Sequence, residues 1–285
     1  MIRRQGRGAA TLRTERQYPT KPALPARPGR SVLVTQDLAA FVKPAAVATS
    51  LRSGSIFRPI GLACGGMASR PKQPTHRPAP RLYLITPRLA DTSAFSSQLI
   101  AALDSGDVAA VLLRLADADE RTLINCTKSV AEPVQDKGVA LLLDGYPELV
   151  ARAGADGAHM AGIATFTDSL ERLKPERIAG AGGLASRHDA MLAAELGADY
   201  VMFGEPDAIG DRPTFAAVEE RVAWWAEVFE IPCVAYAAST GDVAPLVAAG
   251  ADFIALGDFL WRDPHAIAAV MRETTRCLQL PEPAA

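Results

Sequence analysis

From residue 81 onward the chain alternates two hydrophobic patterns. Short apolar runs recur as "RLYLIT" (81–86), "VAAVLLR" (108–114), "VALLLD" (139–144), "GAHM" (157–160), "RIAG" (177–180), "DYVMFG" (199–204), "PCVAYA" (232–237) and "DFIALG" (252–257). Between them, amphipathic stretches predict helices over Ser93–Leu103, Glu120–Lys137, Pro147–Ala153, Thr165–Leu173, Ser186–Leu196, Phe215–Phe229, Thr240–Ala249 and Pro264–Cys277. Strands that alternate with helices predict parallel βαβ units. Eight such units predict a single α/β fold, a (β/α)8 TIM barrel over 81–277, followed by a tail at 278–285. An open doubly wound sheet is the structural alternative, but no GxGxxG follows the first run.

The chain also repeats itself. "GADGAHM" (154–160), "GADYVMFG" (197–204) and "GADFIALG" (250–257) open alike, and "SGDVAAVLL" (105–113) is a looser copy. Gly106, Gly154, Gly197 and Gly250 lie 48, 43 and 53 residues apart and precede predicted strands 2, 4, 6 and 8. The period is therefore two βα units, as repeated assembly would leave behind. Each glycine suits a left-handed residue past a helix end. Each aspartate then falls at a strand entrance, on the bottom face of the barrel. Asp263-Pro264 reads as a capping carboxylate before a proline at the first helical position. Trp224 and Trp225 read as packing residues.

Charge separates the chain into two pieces. Residues 1–80 carry 14 Lys and Arg against two acids, which leaves 16 against 30 in 81–285. The first piece also holds 10 of the 21 prolines. It is expected to be a disordered, basic, Pro-rich extension. A nucleic-acid arm is the weakest reading, because no reader pattern accompanies the charge. A transit peptide shares this composition, and an over-extended start, with Met67 as the true one, is the reading placed first. No apolar run reaches membrane-spanning length. Cys64, Cys126, Cys233 and Cys277 are scattered without metal or redox spacing, which fits a reduced cytoplasmic setting.

In a barrel of this kind chemistry gathers at the C-terminal strand ends. Those ends offer Thr86, Arg114, Asp144, His159, Gly182 and Gly183. Further round come Gly204, Glu205, Asp207, Tyr236, Ser239, Gly257 and Asp258. Arg114 can bind an anion or pair with Asp144 or Glu205. An inward arginine without a partner is costly, so anion binding is placed slightly ahead. Asp144 reads as a metal carboxylate or as a turn or ion-pair residue. His159 reads first as a hydrogen-bonded core histidine, since no second ligand stands at metal spacing. Gly204 and Gly257 suit turns as readily as phosphate cradles.

Seven phrases carry a resemblance across the whole predicted barrel: "LYLIT", "VLLRLADAD", "GADGAHM", "RIAGAGGLASRHDA", "GADYVMFG", "IPCVAY" and "GADFIAL". In order and spacing they resemble the thiamine-phosphate synthase family, which includes the thiazole tautomerases. The resemblance implies a barrel that binds a small phosphorylated heteroaromatic ligand. It implies coupling of a pyrimidine pyrophosphate with a thiazole phosphate, with Mg²⁺ helping pyrophosphate to leave. It implies Arg114 and Asp144 as catalytic residues and Asp144 as the metal ligand. Arg114, Gly204, Arg212, Ser239 and Gly257 become the phosphate-contacting set.

Departures from the family pattern accompany it. The strand 2 Gln and Lys positions are apolar around Arg114. The second metal Asp is Ala164, the Gly-Gly after strand 7 is Ala237-Ala238, and the Ser after strand 8 is Gly257, followed by Asp258. The histidine expected of a tautomerase is missing after strand 5. The expectation is therefore impaired family chemistry. The alternative is a non-catalytic ligand-binding or regulatory barrel, or an enzyme of changed substrate.

Overall fold

A computed structural model describes residues 78–207 and 209–279. The expectations for residues 1–77 and for the end of the tail lie outside the described residues. Eight parallel strands close into a barrel in sequence order. They are β1 (Arg81–Ile85), β2 (Val108–Leu113), β3 (Ala140–Asp144), β4 (Gly157–Ala161), β5 (Ile178–Gly182), β6 (Tyr200–Phe203), β7 (Cys233–Ala237) and β8 (Phe253–Leu256). Closure runs from Arg81 opposite Phe253 to Leu84 opposite Leu256.

The strands are apolar throughout because both faces are covered. Successive side chains point to opposite faces, so a strand packed on both sides reads as a continuous apolar run. Tyr83 and Ile85 of β1 join the filled barrel interior, with Leu112, Leu142, Tyr200 and Tyr236. Leu82 and Leu84 face the other way, into the layer under the helices.

The helices are α1 (Ser96–Leu103), α2 (Glu120–Gln135), α3 (Val150–Ala153), α4 (Ile163–Leu173), α5 (Arg187–Glu195), α6 (Phe215–Val228), α7 (Val243–Ala248) and α8 (Ile267–Leu278). Several start later than their patterns predict. Residues 240–242 form a 3₁₀ turn before α7, whose first turn holds Pro245, a residue with no amide hydrogen. Pro264 is not the first residue of α8. Asp263 accepts the His265 N–H at 2.9 Å in a preceding turn, and α8 begins at Ile267. Trp225 is buried against Phe229 and Trp224 lies half-buried beneath Arg187, both as packing residues.

The repeated GAD phrase has a structural counterpart. Gly154, Gly197 and Gly250 all have left-handed φ, at 78°, 97° and 93°. Gly106 of the looser copy is not left-handed; it makes room instead, because a Cβ there would meet Met271 Cε at 3.0 Å. Each GAD aspartate then holds the first residue of the preceding strand, or its neighbour, from both sides. Asp156 donates its N–H to the Leu141 carbonyl and accepts the Leu141 N–H on its carboxylate, each at 2.8 Å. Asp252 does the same with Cys233, at 3.1 and 2.8 Å. Asp107 of the looser copy uses another route and pairs with the Arg81 guanidinium at 2.8 Å. These contacts sit on the bottom face and fix the strand ends opposite the mouth.

Candidate functional site

Three strands send polar groups into the barrel centre. The Tyr83 hydroxyl of β1 lies 2.8 Å from the Tyr200 hydroxyl of β6. The same Tyr200 oxygen lies 3.0 Å from His159 Nδ1 of β4. His159 and Tyr200 stack with ring centroids 5.7 Å apart. Gly180 makes this arrangement fit, since a Cβ there would come within 2.1 Å of Tyr200 Cζ. Burial pushes the His159 imidazole down to about 4, so it is neutral near pH 7. The hydrogen-bonded core histidine expected from the sequence is thus what the fold holds.

Glu205 stands directly above this row, one residue past the left-handed Gly204 that ends β6. Its side chain is 15% exposed and its Oε1 lies 3.9 Å from His159 Nε2. The Gly183 N–H donates to that same oxygen. Gly182 leaves the room: a Cβ there would fall 2.1 Å from Glu205 Oε1 and 2.4 Å from His159 Nε2. Burial raises the Glu205 carboxyl to about 7, and the nearby Asp144 charge raises it further against the Gly183 hydrogen bond. The sequence offers Glu205 as a strand-end residue and a partner for Arg114. The structure gives it a different neighbourhood, on the far side of the mouth.

The rim carries the cations. The Arg114 backbone N–H is fixed by Thr86 Oγ1 at 2.9 Å. The Arg114 guanidinium lies 3.5 Å from Asp144 through Nε and 3.8 Å from Asp258 through Nη1. Arg212 donates from Nε to the Gly204 carbonyl at 2.9 Å and lies over the Tyr236 ring, 4.6 Å from its centroid. A cavity of about 360 Å³ brings Arg114, Asp144, His159, Glu205 and Tyr236 together, with Arg88 at its edge. Arg88 was missed in the sequence because it lies two residues beyond the strand-end position. A neighbouring hollow of about 510 Å³, between Tyr146 and α4, shares Arg88 and Asp144.

The remaining candidates sit outside that cavity. Ser239 is turned into its own helix start: its N–H and hydroxyl both go to Asp242, at 3.1 and 3.0 Å. The Ala238 N–H also donates to Asp242, at 2.8 Å. Gly257 packs beneath Tyr236, where a Cβ would fall 2.0 Å from the hydroxyl. Gly204 reaches the site through its carbonyl, as the anchor of Arg212.

A closed parallel barrel with cations and carboxylates at its C-terminal mouth is the architecture of a small-molecule (β/α)8 protein. The chain belongs to the thiamine monophosphate synthase family, whose pattern matches residues 82–259. It is 41% identical over 202 residues to a thiamine-phosphate synthase of Rhodospirillum centenum, covering 70% of this chain and 98% of that protein. It is 39% identical over 205 residues to a thiamine-phosphate synthase of Hyphomonas neptunium, covering 69% and 92%. Among solved structures, a thiamine phosphate pyrophosphorylase from Pyrococcus furiosus superposes with a TM-score of 0.58 at 20% identity, over 70% of this chain and 95% of that one. A geranylgeranylglyceryl phosphate synthase from Thermoplasma acidophilum shares the fold at a TM-score of 0.53 and 15% identity, over 70% and 94%. Among the described residues no helix is long and apolar enough to cross a membrane.

Proposed function

We propose that the barrel mouth binds a small phosphorylated heteroaromatic ligand of the thiamine-pathway type, and that thiamine-phosphate synthesis is impaired there. Arg114 and Arg212, with Arg88 beside them, are the anion contacts. The observation that carries this reading is the double engagement of Arg114 by Asp144 and Asp258. An incoming pyrophosphate must compete with two carboxylates for one guanidinium. The turn after β7 supports the same reading. Backbone N–H groups at such a turn can cradle a phosphate, but here Ala238 and Ser239 direct theirs to the Asp242 carboxylate.

The family implies Mg²⁺, and the donor set can be weighed against it. Among the described residues no three His, Cys, Asp or Glu side chains gather into a metal-holding group. Mg²⁺ commonly takes one or two carboxylates and completes its shell with substrate phosphates and water. Asp144, a hard oxygen donor at the cavity wall, fits that minimal role and would hold the ion. When bound, Mg²⁺ supplies positive charge to a departing pyrophosphate. Asp144 would first have to release Arg114, which frees that guanidinium for the anion.

The test is direct. Purified protein is given a pyrimidine pyrophosphate, a thiazole phosphate and Mg²⁺, and thiamine phosphate is measured. Little or no product is expected; turnover at about 1 s⁻¹ or faster overturns the impaired reading. Inorganic pyrophosphate should raise the melting temperature, because a ligand that binds only the folded state stabilises it. Arg114→Ala should abolish that rise.

A further inference from the structure

Two exposed apolar side chains of the outer helical layer are neighbours. Met191 on α5 is 38% exposed and Val228 on α6 is 59% exposed. A lone exposed apolar residue needs no explanation, but a contiguous group marks a contact surface. Their adjacency follows from the contacts one turn away. The Arg187 guanidinium of α5 crosses to α6, where it bonds Glu220 Oε1 at 2.8 Å and lies 4.7 Å from the centroid of the Trp224 ring. Residues four apart on a helix share a face. Met191 therefore stands one turn beyond Arg187, and Val228 one turn beyond Trp224, on the two facing flanks. Both helices follow strands of one parallel barrel and run the same way, so the two residues fall at one level. The buried residues, Ala190 and Ala193 on α5 with Val218, Val222 and Trp225 on α6, take the core side of each helix.

Trp224 anchors this face. Its ring meets Trp225 and Phe229 edge-on, with centroids 5.8 and 5.4 Å away, and stays half-exposed. Trp, Met and Arg are enriched where proteins touch, and Trp and Arg supply many of the strongest contacts. The face carries a cation on one helix, Arg187, and an anion on the other, Glu220. A two-fold axis between α5 and α6 lays α5 of one copy on α6 of another. Arg187 then meets the partner's Glu220, and Met191 meets the partner's Val228. The face is its own complement, as an isologous contact requires.

We propose that the α5–α6 face joins two copies of this chain into a weak two-fold dimer. Its extent sets the strength. The 9 residues of α5 and 14 of α6 span the face. It is about 20 Å long and about 20 Å wide, or roughly 400 Å² per copy. A stable complex buries about 800 Å² per partner, so this contact belongs with the transient ones. Its Kd is on the order of tens of micromolar.

Full-length protein is followed by sedimentation velocity at low salt from about 1 to about 500 µM, a range that brackets such a Kd. A shift from the 30.1 kDa monomer toward twice that mass is expected. Val228→Asp should weaken association at least about tenfold, because it buries an unpaired carboxylate in the contact. Arg187→Glu and Glu220→Arg should each weaken it too. An equimolar mixture of these two variants should restore it, since each then finds its opposite charge across the axis. An ion pair confined to one chain cannot give that rescue. Melting temperatures check that the variants fold; if a charge variant does not, Val228→Asp decides. A full-length chain that stays monomeric throughout, with the face bare or covered by residues 1–77, overturns the proposal. So does a dimer that Val228→Asp leaves intact, or a mixture of folded charge variants that stays monomeric.

Discussion

Asp199 and Ala179 hold each other twice. The Asp199 N–H donates to the Ala179 carbonyl at 2.9 Å, and the Asp199 carboxylate accepts the Ala179 N–H at 2.8 Å. Lys174 binds the same carboxylate. The pair joins the start of β6 to the start of β5, and Asp156 with Leu141 and Asp252 with Cys233 repeat it.

Asp199→Ala should therefore lower stability by roughly 2 kcal/mol, the usual size for a hydrogen bond to a charged group together with the amide left behind. Urea unfolding measures it. A change below about 0.5 kcal/mol would show that water satisfies the Ala179 amide as well.

Glu205 and His159 titrate in opposition. Glu205 rises from its ordinary 4.5 to about 7, so alone it makes stability fall as pH climbs between those values. His159 drops from 6.5 to about 4, so alone it makes stability climb with pH between those values. From pH 4.5 to 6.5 the folded protein holds its proton on Glu205 and the unfolded chain holds one on His159. The two states bind equal numbers, and this pair contributes no slope there. Glu205→Gln removes the balance and leaves the histidine alone. Stability of the variant relative to wild type should then rise with pH across that interval by about 3 kcal/mol at most. Parallel urea curves at pH 4.5 and 6.5 read it, and a constant offset between the two proteins would contradict it.

Gly180→Ala should cost about 2–3 kcal/mol through overpacking. Its Cβ would press on a tyrosine ring buried at the barrel centre, and the Tyr83–Tyr200–His159 row would have to shift. A melting temperature within a degree of wild type would show that the centre is looser than its contacts imply.

Asp258→Asn should strengthen pyrophosphate binding about two- to fivefold at low salt. It removes an exposed carboxylate that competes for Arg114. The gain should fade as salt screens the mouth. Unchanged affinity at low ionic strength would separate Asp258 from the anion site.

The barrel was legible because its signal is redundant. Eight apolar runs, the helical patterns between them and the two-unit repeat all point to one closed sheet. Helix starts were less legible, since Pro245 and the Asp263 turn act through local hydrogen bonds that period counting does not register. At the site, Arg114 and Asp144 could be found because strand ends are countable, and they do share a cavity. Ser239 and Gly257 were countable too, but a capping box and a tyrosine ring engage them. Arg88 and the surroundings of Glu205 depend on how loops fold back over the mouth, and no spacing in the chain encodes that.

The reciprocal bonds at the barrel floor carry a consequence for ancestry. Each fastening lies wholly inside one pair of strands and is written in the three letters that open the second. A gene segment encoding such a pair would therefore bring its own latch when duplicated. Three such segments join without a new joint at the floor, the first strand pair being closed by Arg81 and Asp107 instead, while the loops at the opposite end stay free to diverge.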